Sequence, residues 1–232
     1  MQTEKNAPAV QECMAGVLDK EKKRRIVVGI SGASGAEMGL RLLEILRDVP
    51  DVETHLVVTD GAAEAMRREA GRTADEARAL ADVSYDAHDL GAAIASGTFA
   101  TAGMIVAPCS MKTLAGLVTG YSDNLLLRAA DVTLKEARPL VLLPRETPLS
   151  RIHLKNLLAA SEAGCTIVPP MLSFYSGATT LAAQVDQVLG KALRFVGVEY
   201  DGLYEWNGNK KSLPPRGKVP SLRGGKGGEG RT

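Results

Sequence analysis

The stretch RIVVGISGASGA at residues 25–36 passes from an apolar run at 26–30 into small residues and then into a helical pattern. It reads as a strand, a tight turn and a helix N-terminus. Gly32 and Gly35 let the backbone approach a ligand closely, and a helix starting at Ser34 to Ala36 presents unpaired N–H groups carrying partial positive charge. Such an end suits a phosphate or another small anion. The glycines stand at Gly29, Gly32 and Gly35, outside the G-x-G-x-x-G order of a dinucleotide site, and no Lys-Ser/Thr pair completes a P-loop. The turn favours a mononucleotide or a single phosphate over NAD, with a ligand-free glycine turn in an α/β core as the plainer alternative.

Beyond this stretch, strand and helix patterns alternate. Met38, Leu42, Leu43, Ile45 and Leu46 give one apolar face to a helix over about 36–47, and a second strand is expected at 53–58. A helix at 62–70 follows, then a polar excursion over 72–89 with a helical piece and a short strand at 83–85. Further strands are expected at 104–107, 140–143 and 166–168, and helices at 111–118, 124–136, 153–163 and 180–196. Strands separated by helices imply right-handed parallel crossovers with helices on both faces. The expected fold is a single three-layer α/β/α domain with a Rossmann-like or flavodoxin-like parallel sheet.

The chain has 232 residues, 45% of them hydrophobic and 24% charged, which suits one domain with a sizeable core. Three cysteines (Cys13, Cys109, Cys165), no signal peptide and no long apolar run point to a reduced, cytoplasmic chain without a membrane span. The net charge of +1 hides an asymmetry, because residues 207–232 hold seven basic residues against Glu229 alone. That tail is rich in Gly and Pro and lacks aromatic residues to stack on bases, so it reads as a solvated extension and not as a nucleic-acid site. Residues 1–23 read as an N-terminal extension with a short helix around 10–18. The domain expected to bind the ligand therefore runs over 24–206.

In doubly wound folds ligands bind at the carboxyl ends of the strands. Here those ends carry residues 31–36, Thr59-Asp60, Pro108-Cys109-Ser110-Met111-Lys112-Thr113 and Pro144-Arg145-Glu146. Hydroxyls, one Lys, one Arg and one Glu converge on one edge. Asp60 lies where a ribose-binding acid would sit in a dinucleotide fold. Arg145-Glu146 reads either as an ion pair or, at a ligand edge, as an Arg beside a carboxylate that moves a proton. Cys109 reads as a small buried residue sooner than as a nucleophile. His55 and His153 have no partners at metal-ligand spacing, so no metal is expected.

The blocks Gly32-Ala33-Ser34-Gly35-Ala36, Ala95-Ser96-Gly97, Ala107-Pro108-Cys109-Ser110-Met111-Lys112-Thr113, Arg128-Ala129-Ala130-Asp131-Val132, Leu134-Lys135-Glu136, Pro144-Arg145-Glu146-Thr147-Pro148-Leu149 and His153-Leu154 occur in this order. Together they resemble the flavin prenyltransferases of the UbiX type, a family that includes proteins described as small subunits of phenolic-acid decarboxylases. The similarity covers about 25–208. It implies transfer of a dimethylallyl group from dimethylallyl phosphate to N5 and C6 of reduced FMN, without a metal, giving prenylated FMN for a UbiD-type decarboxylase. It also implies a homo-oligomer built from trimers, up to a dodecamer, with the site at a subunit interface.

Carried over residue by residue, the resemblance puts Gly32, Ala33, Ser34, Thr59, Ser110, Met111, Lys112, Thr113 and Arg145 at FMN. It puts Glu69, Arg128, Lys135, Tyr175, Lys191 and Trp206 around the prenyl phosphate, and Glu146 as the acid/base, with Ser34, Lys135 and Arg128 assisting catalysis. A departing phosphate needs preorganised donors, and an allylic cation needs a dry aromatic or apolar wall, for which Tyr175 and Trp206 are available. Without the resemblance, Arg128 and Lys135 read as charges paired along a solvated helix face, and Trp206 as a packing anchor. The chain also departs from the family. Ser176-Gly177-Ala178-Thr179 follows Phe174-Tyr175 where a polar residue or Arg followed by Pro is usual, and Lys191 stands where an Arg is common. Lys keeps the charge and loses the bidentate fork. Two other readings fit the flavin edge: a non-catalytic FMN-binding accessory subunit, and an FMN-dependent cysteine decarboxylase.

Overall fold

A computed structural model describes residues 23–206. The helix expected around 10–18 and the basic tail at 207–232 lie outside the described residues. In chain order the elements are β1 (Arg24–Ile30), α1 (Glu37–Arg47), β2 (Val52–Val58), α2 (Asp60–Glu69), α3 (Ala74–Leu80), β3 (Val83–Tyr85), β4 (Gly103–Cys109), α4 (Met111–Val118), α5 (Leu125–Lys135), β5 (Leu140–Pro144), α6 (Arg151–Glu162), β6 (Thr166–Ile167) and α7 (Leu181–Arg194). All pairings in the sheet are parallel, and the strand order is β3-β2-β1-β4-β5-β6. The chain winds one way from β1 to β3 and then returns to the other side of β1 with β4. The reversal of winding therefore falls between β1 and β4, and a crevice opens above their carboxyl ends.

The sheet is dry on both faces. Ile26, Val28 and Ile30 of β1 pack with Leu42, Leu43 and Leu46 of α1, Met66 of α2, Ala77 of α3 and Leu189 and Leu193 of α7. Val27, Met104, Val106 and Leu142 pack on the opposite face with Leu114 of α4, Leu126 and Ala130 of α5 and Ala160 of α6. Each large aliphatic side chain buried in this way contributes about 1.5–3 kcal/mol, so the two layers fix the strand ends firmly. The apolar face expected for the first helix is buried throughout, and Leu40 joins it. Helix α6 differs. Only its Ala160 is buried, and Ile152, Leu154 and Leu158 stand 69%, 53% and 60% exposed.

Helix starts follow the sequence closely because short polar residues cap them. Thr59, Thr73, Ser110, Asn124, Ser150 and Thr180 each accept a backbone N–H at the starts of α2 to α7. Among the described residues α1 is the one α-helix without a side-chain cap of its own; its N-cap position is Ala36.

Candidate active site

Ser31, fully buried at the end of β1, bridges the crevice. Its hydroxyl donates to the Pro108 carbonyl at 2.9 Å and accepts the Ser110 N–H at 2.8 Å, so the turns after β1 and β4 move as one body. Gly32 then approaches the first turn of α2. A Cβ on Gly32 would stand 2.9 Å from the Gly61 Cα and carbonyl carbon, closer than side chains pack. Gly35, at φ +93°, turns the chain into α1.

The uncapped start of α1 is served from a distance. Glu69, at the end of α2, accepts the Gly35 N–H at 2.7 Å. That hydrogen bond first, with the Ser34 hydroxyl, the Ala36 N–H and the charge of Arg145, holds the Glu69 carboxyl below the usual carboxylate range. A carboxylate therefore sits where the sequence led us to expect an anion. Ser34, Glu69 and Arg145, drawn from three separate elements, converge on this point.

The remaining residues expected at the flavin are at the same edge. Thr59 caps α2, and Ser110 caps α4 while donating to Thr113 Oγ1 at 3.1 Å. Met111 and Lys112 open α4, with the Lys112 side chain at the surface. The Arg145 N–H is fixed on the Cys109 carbonyl at 3.1 Å. Glu146 is exposed, and its carboxylate accepts the Thr147 N–H at 2.9 Å. No ion pair joins Arg145 to Glu146 among the described residues, so the structural pairing entertained for them does not form. Both line a groove of about 370 Å³ that continues past Leu149 and Leu157 to Pro169, Pro170 and Met171. Ser34, Ser110 and Tyr175 are not part of that groove.

Arg128 and Lys135 are placed differently. On α5, Arg128 pairs with Asp131 at 2.6 Å and donates to the Ala95 carbonyl at 3.2 Å, and Lys135 pairs with Glu136 at 2.6 Å above Gly97. The Lys135 ammonium holds the Glu136 carboxyl below its ordinary range. No hydrogen bond or ion pair among the described residues joins Arg128 or Lys135 to Ser34, Glu69 or Arg145. Both are paired along their helix, as the plainer reading of the sequence had it, and both face the 95–97 loop.

The aromatic residues do assemble. Tyr175 lies in a short 3-10 turn, its ring 6.4 Å from the Trp206 ring in an edge-to-face arrangement and 6.1 Å from Tyr204. Tyr204 escaped the sequence reading because nothing in the local pattern marks a tyrosine in an irregular C-terminal segment as a partner of one about thirty residues earlier. Lys191 is exposed on α7, without an ion pair among the described residues.

Cys109 is buried at the end of β4, and burial pushes its thiol up to about 12; Cys165 is likewise pushed up to about 11. Neither is a thiolate nucleophile at neutral pH. Asp60 points to His88 at 3.3 Å in solvent and is not held for a ribose. No group of His, Cys, Asp and Glu among the described residues is arranged to hold a metal.

Residues 15–196 match the family described as Flavoprotein. A probable UbiX-like flavin prenyltransferase of Sedimentibacter hydroxybenzoicus is 47% identical over 186 residues, covering 80% of this chain and 98% of the relative. The crystal structure of AnUbiX (PadA1) in complex with FMN and dimethylallyl pyrophosphate superimposes with a TM-score of 0.79 at 44% identity, covering 82% of this chain and all of that one. A dodecameric FMN-dependent UbiX-like decarboxylase from Escherichia coli O157:H7 superimposes with a TM-score of 0.77 at 49% identity, over 78% and 98% of the two chains.

Proposed function

The chain belongs to the flavoprotein family, among the UbiX-like flavin prenyltransferases, and from that membership we propose how its own residues divide the work. It is an enzyme that transfers a prenyl group to FMN. Reduced FMN is a substrate here and not a resident cofactor. The observation that carries the assignment of roles is the convergence of Ser34, Glu69 and Arg145 on the start of α1, the one α-helix among the described residues that lacks its own side-chain cap.

The crevice above β1 and β4 takes FMN. Gly32 and Ala33 let it approach the backbone, Thr59, Ser110 and Thr113 offer hydroxyls, Met111 and Lys112 border it, and Arg145 supplies a charged donor. The close Gly32–Gly61 approach packs the turn after β1 against the first turn of α2 and so fixes one wall of the crevice. Dimethylallyl phosphate lies toward Glu69, Tyr175, Lys191 and Trp206. Its C–O bond breaks as the first bond to the flavin forms at N5, N5 gives up its proton to the departing phosphate, and donors preorganised around the phosphate stabilise the departing charge.

Ring closure then forms a carbon–carbon bond at C6. One proton is added to the alkene of the attached group and one is lost from C6, so the step is proton-neutral but needs a base and an acid within reach. Glu146, a carboxylate next to Arg145 and without an ion pair among the described residues, takes the C6 proton, and the released phosphate is the acid.

Arg128 and Lys135 reach the donor phosphate from a neighbouring copy in a trimer-based homo-oligomer, up to a dodecamer. The reading is supported by the lack, among the described residues, of any hydrogen bond or ion pair from either to Ser34, Glu69 or Arg145, and by the uncovered Ile152, Leu154 and Leu158 of α6. The product passes to a decarboxylase of the UbiD type. Among the described residues no helix is long and apolar enough to cross a membrane, and the free buried thiols Cys109 and Cys165 support a reducing, cytoplasmic setting.

Glu146→Gln tests the proton role. Gln keeps shape and hydrogen bonding but takes up no proton, so ring closure should slow by about 10²–10⁴-fold while the first bond still forms. Anaerobic single-turnover spectra should show a flavin carrying the single new bond accumulating in the variant. Conversion to the four-ring product at the wild-type rate would refute the role.

A further inference from the structure

Two segments that carry the aromatic cluster have no sheet or long helix to hold them. Residues 173–178 contain Tyr175 in a single 3-10 turn, and residues 200–206 contain Tyr204 and Trp206 in turns and irregular chain. Main-chain groups outside regular structure still need partners. Two glutamines of α7 provide them. Gln184 accepts the Ser173 N–H at 2.7 Å and donates to the Ala178 carbonyl at 2.8 Å. One turn on, Gln187 donates to the Gly202 carbonyl at 2.7 Å and accepts the Tyr204 N–H at 3.0 Å. Each amide thus makes a two-point main-chain clamp, and residues three apart on a helix lie on the same face.

The rest of α7 serves the same end. Arg41, paired with Asp186 of α7 at 2.8 Å, donates to the Tyr200 hydroxyl at 3.2 Å. Gly190 lies so close under Leu203 that a Cβ there would meet the Leu203 Cβ at 2.7 Å. Lys191 continues the stripe of Gln184 and Gln187 at seven- and four-residue spacing. A polar face that clamps both aromatic segments therefore also carries a cation with no ion-pair partner among the described residues.

We infer that Gln184 and Gln187 are positioning residues for the prenyl donor: they fix the loop bearing Tyr175 and the segment bearing Trp206 against each other, and so set the wall against which the dimethylallyl group lies. The inference rests on the assignment of Tyr175 and Trp206 to the donor made above. It also accounts for how this chain holds the 176–179 loop without the Pro usual after that tyrosine. Gln184 ties the Ala178 carbonyl, and the Ser176 hydroxyl donates to the Ser173 carbonyl at 2.7 Å.

The test uses Gln184→Leu, Gln187→Leu and the double variant in the full chain. Trp206 is the one tryptophan of the sequence, so the anisotropy of its emission reads the clamp directly, with or without substrates. Each single variant should lower that anisotropy and weaken the near-ultraviolet circular dichroism. The KM for dimethylallyl phosphate should rise roughly ten-fold, the scale of one net hydrogen bond, with FMN affinity unchanged. Gln187→Glu keeps the acceptor for the Tyr204 N–H and should fall between wild type and Gln187→Leu; it carries the same readouts if the leucine variant fails to fold. An unmoved Trp206 signal overturns the clamp whatever the kinetics show. A loosened Trp206 with unchanged donor KM leaves the clamp standing and overturns its role toward the donor.

Discussion

Exchanging a single hydrogen for a methyl group at Gly32 should damage this protein more than the same exchange at Gly61, although the two glycines touch each other. The alanine Cβ at position 32 would meet the Gly61 Cα and carbonyl carbon at 2.9 Å, and both are backbone atoms that no rotamer change can move aside. Ordinary carbon contacts lie at about 3.5–4.0 Å, so the turn after β1 and the first turn of α2 must separate by roughly 0.6–1 Å. Overpacking of that kind costs about 1–3 kcal/mol. For a domain of this size the melting temperature should fall by roughly 2–12 °C. At Gly61 the new Cβ would stand 3.3 Å from the Gly32 Cα, a milder contact. Helix propensity there favours Ala over Gly by about 1 kcal/mol, so the two effects nearly cancel. The separated turns also spoil the FMN crevice in Gly32→Ala, and affinity should fall roughly ten-fold, the equivalent of about one hydrogen bond. Urea denaturation and FMN titration of both variants make the comparison. A Gly32→Ala protein with wild-type midpoint and affinity, or a Gly61→Ala protein that suffers more, would refute the argument.

Two further outcomes follow from charged groups. Arg145→Ala removes a charged donor with no ion-pair partner among the described residues, and FMN affinity should fall by about one to two decades, the scale of a charged hydrogen bond; isothermal titration with FMN checks it, and an unchanged constant would remove Arg145 from the flavin. His55 is buried between Glu53 (2.7 Å) and the Tyr85 hydroxyl (2.8 Å), with Arg25 nearby, and burial holds it below its ordinary pKa. The unfolded chain takes up the proton near pH 6.5 and the folded chain resists it, so stability is full above about pH 6.5 and declines as pH falls toward the folded value, by at most about 1.4 kcal/mol per pH unit. Urea midpoints at pH 7.5 and 5.5 should converge in His55→Asn relative to wild type, and an equal pH dependence in both proteins would contradict the sign.

What was legible in the chain was whatever local period and capping specify. The run into β1, the turn at Gly32 and Gly35 and the apolar face of α1 follow from spacing alone, as does the start of α4 at Ser110, because each element is specified within a few residues of itself. Long-range choices were not legible. The sequence places Glu69 at the end of a polar helix and says nothing of its reach to the Gly35 N–H, which depends on how α2 crosses the turn after β1. It offers Arg145 as the partner of Glu146 and Arg128 as the partner of Asp131; the second pair forms one helical turn apart, and the first makes no ion pair among the described residues, Arg145 lying instead where its charge acts on Glu69. Helix α6 shows the same limit from the other side. Its Ile152, Leu154 and Leu158 are apolar, and a single chain leaves them in solvent.

On the assignment proposed above, the site divides into two mechanical parts, and the division matches the chemistry asked of each. The flavin side is built on strand ends of a sheet buried on both faces, locked across β1 and β4 by Ser31, so a planar acceptor meets a surface that is already in shape. The donor side is built from two irregular segments hung on α7 by side-chain amides, hydrogen bonds that are individually weak and partly exposed. A cation-forming reaction needs water excluded once the donor is bound, yet the donor has to enter first. A wall held by a few replaceable hydrogen bonds meets both needs, since it can open at small cost and close around an apolar group that adds contacts of its own. Residues 176–179, tied by Gln184 at the Ala178 carbonyl, belong to this second part. The two parts are joined through α1, whose start borders the flavin edge and whose Arg41 pairs with Asp186 of α7 and donates to the Tyr200 hydroxyl.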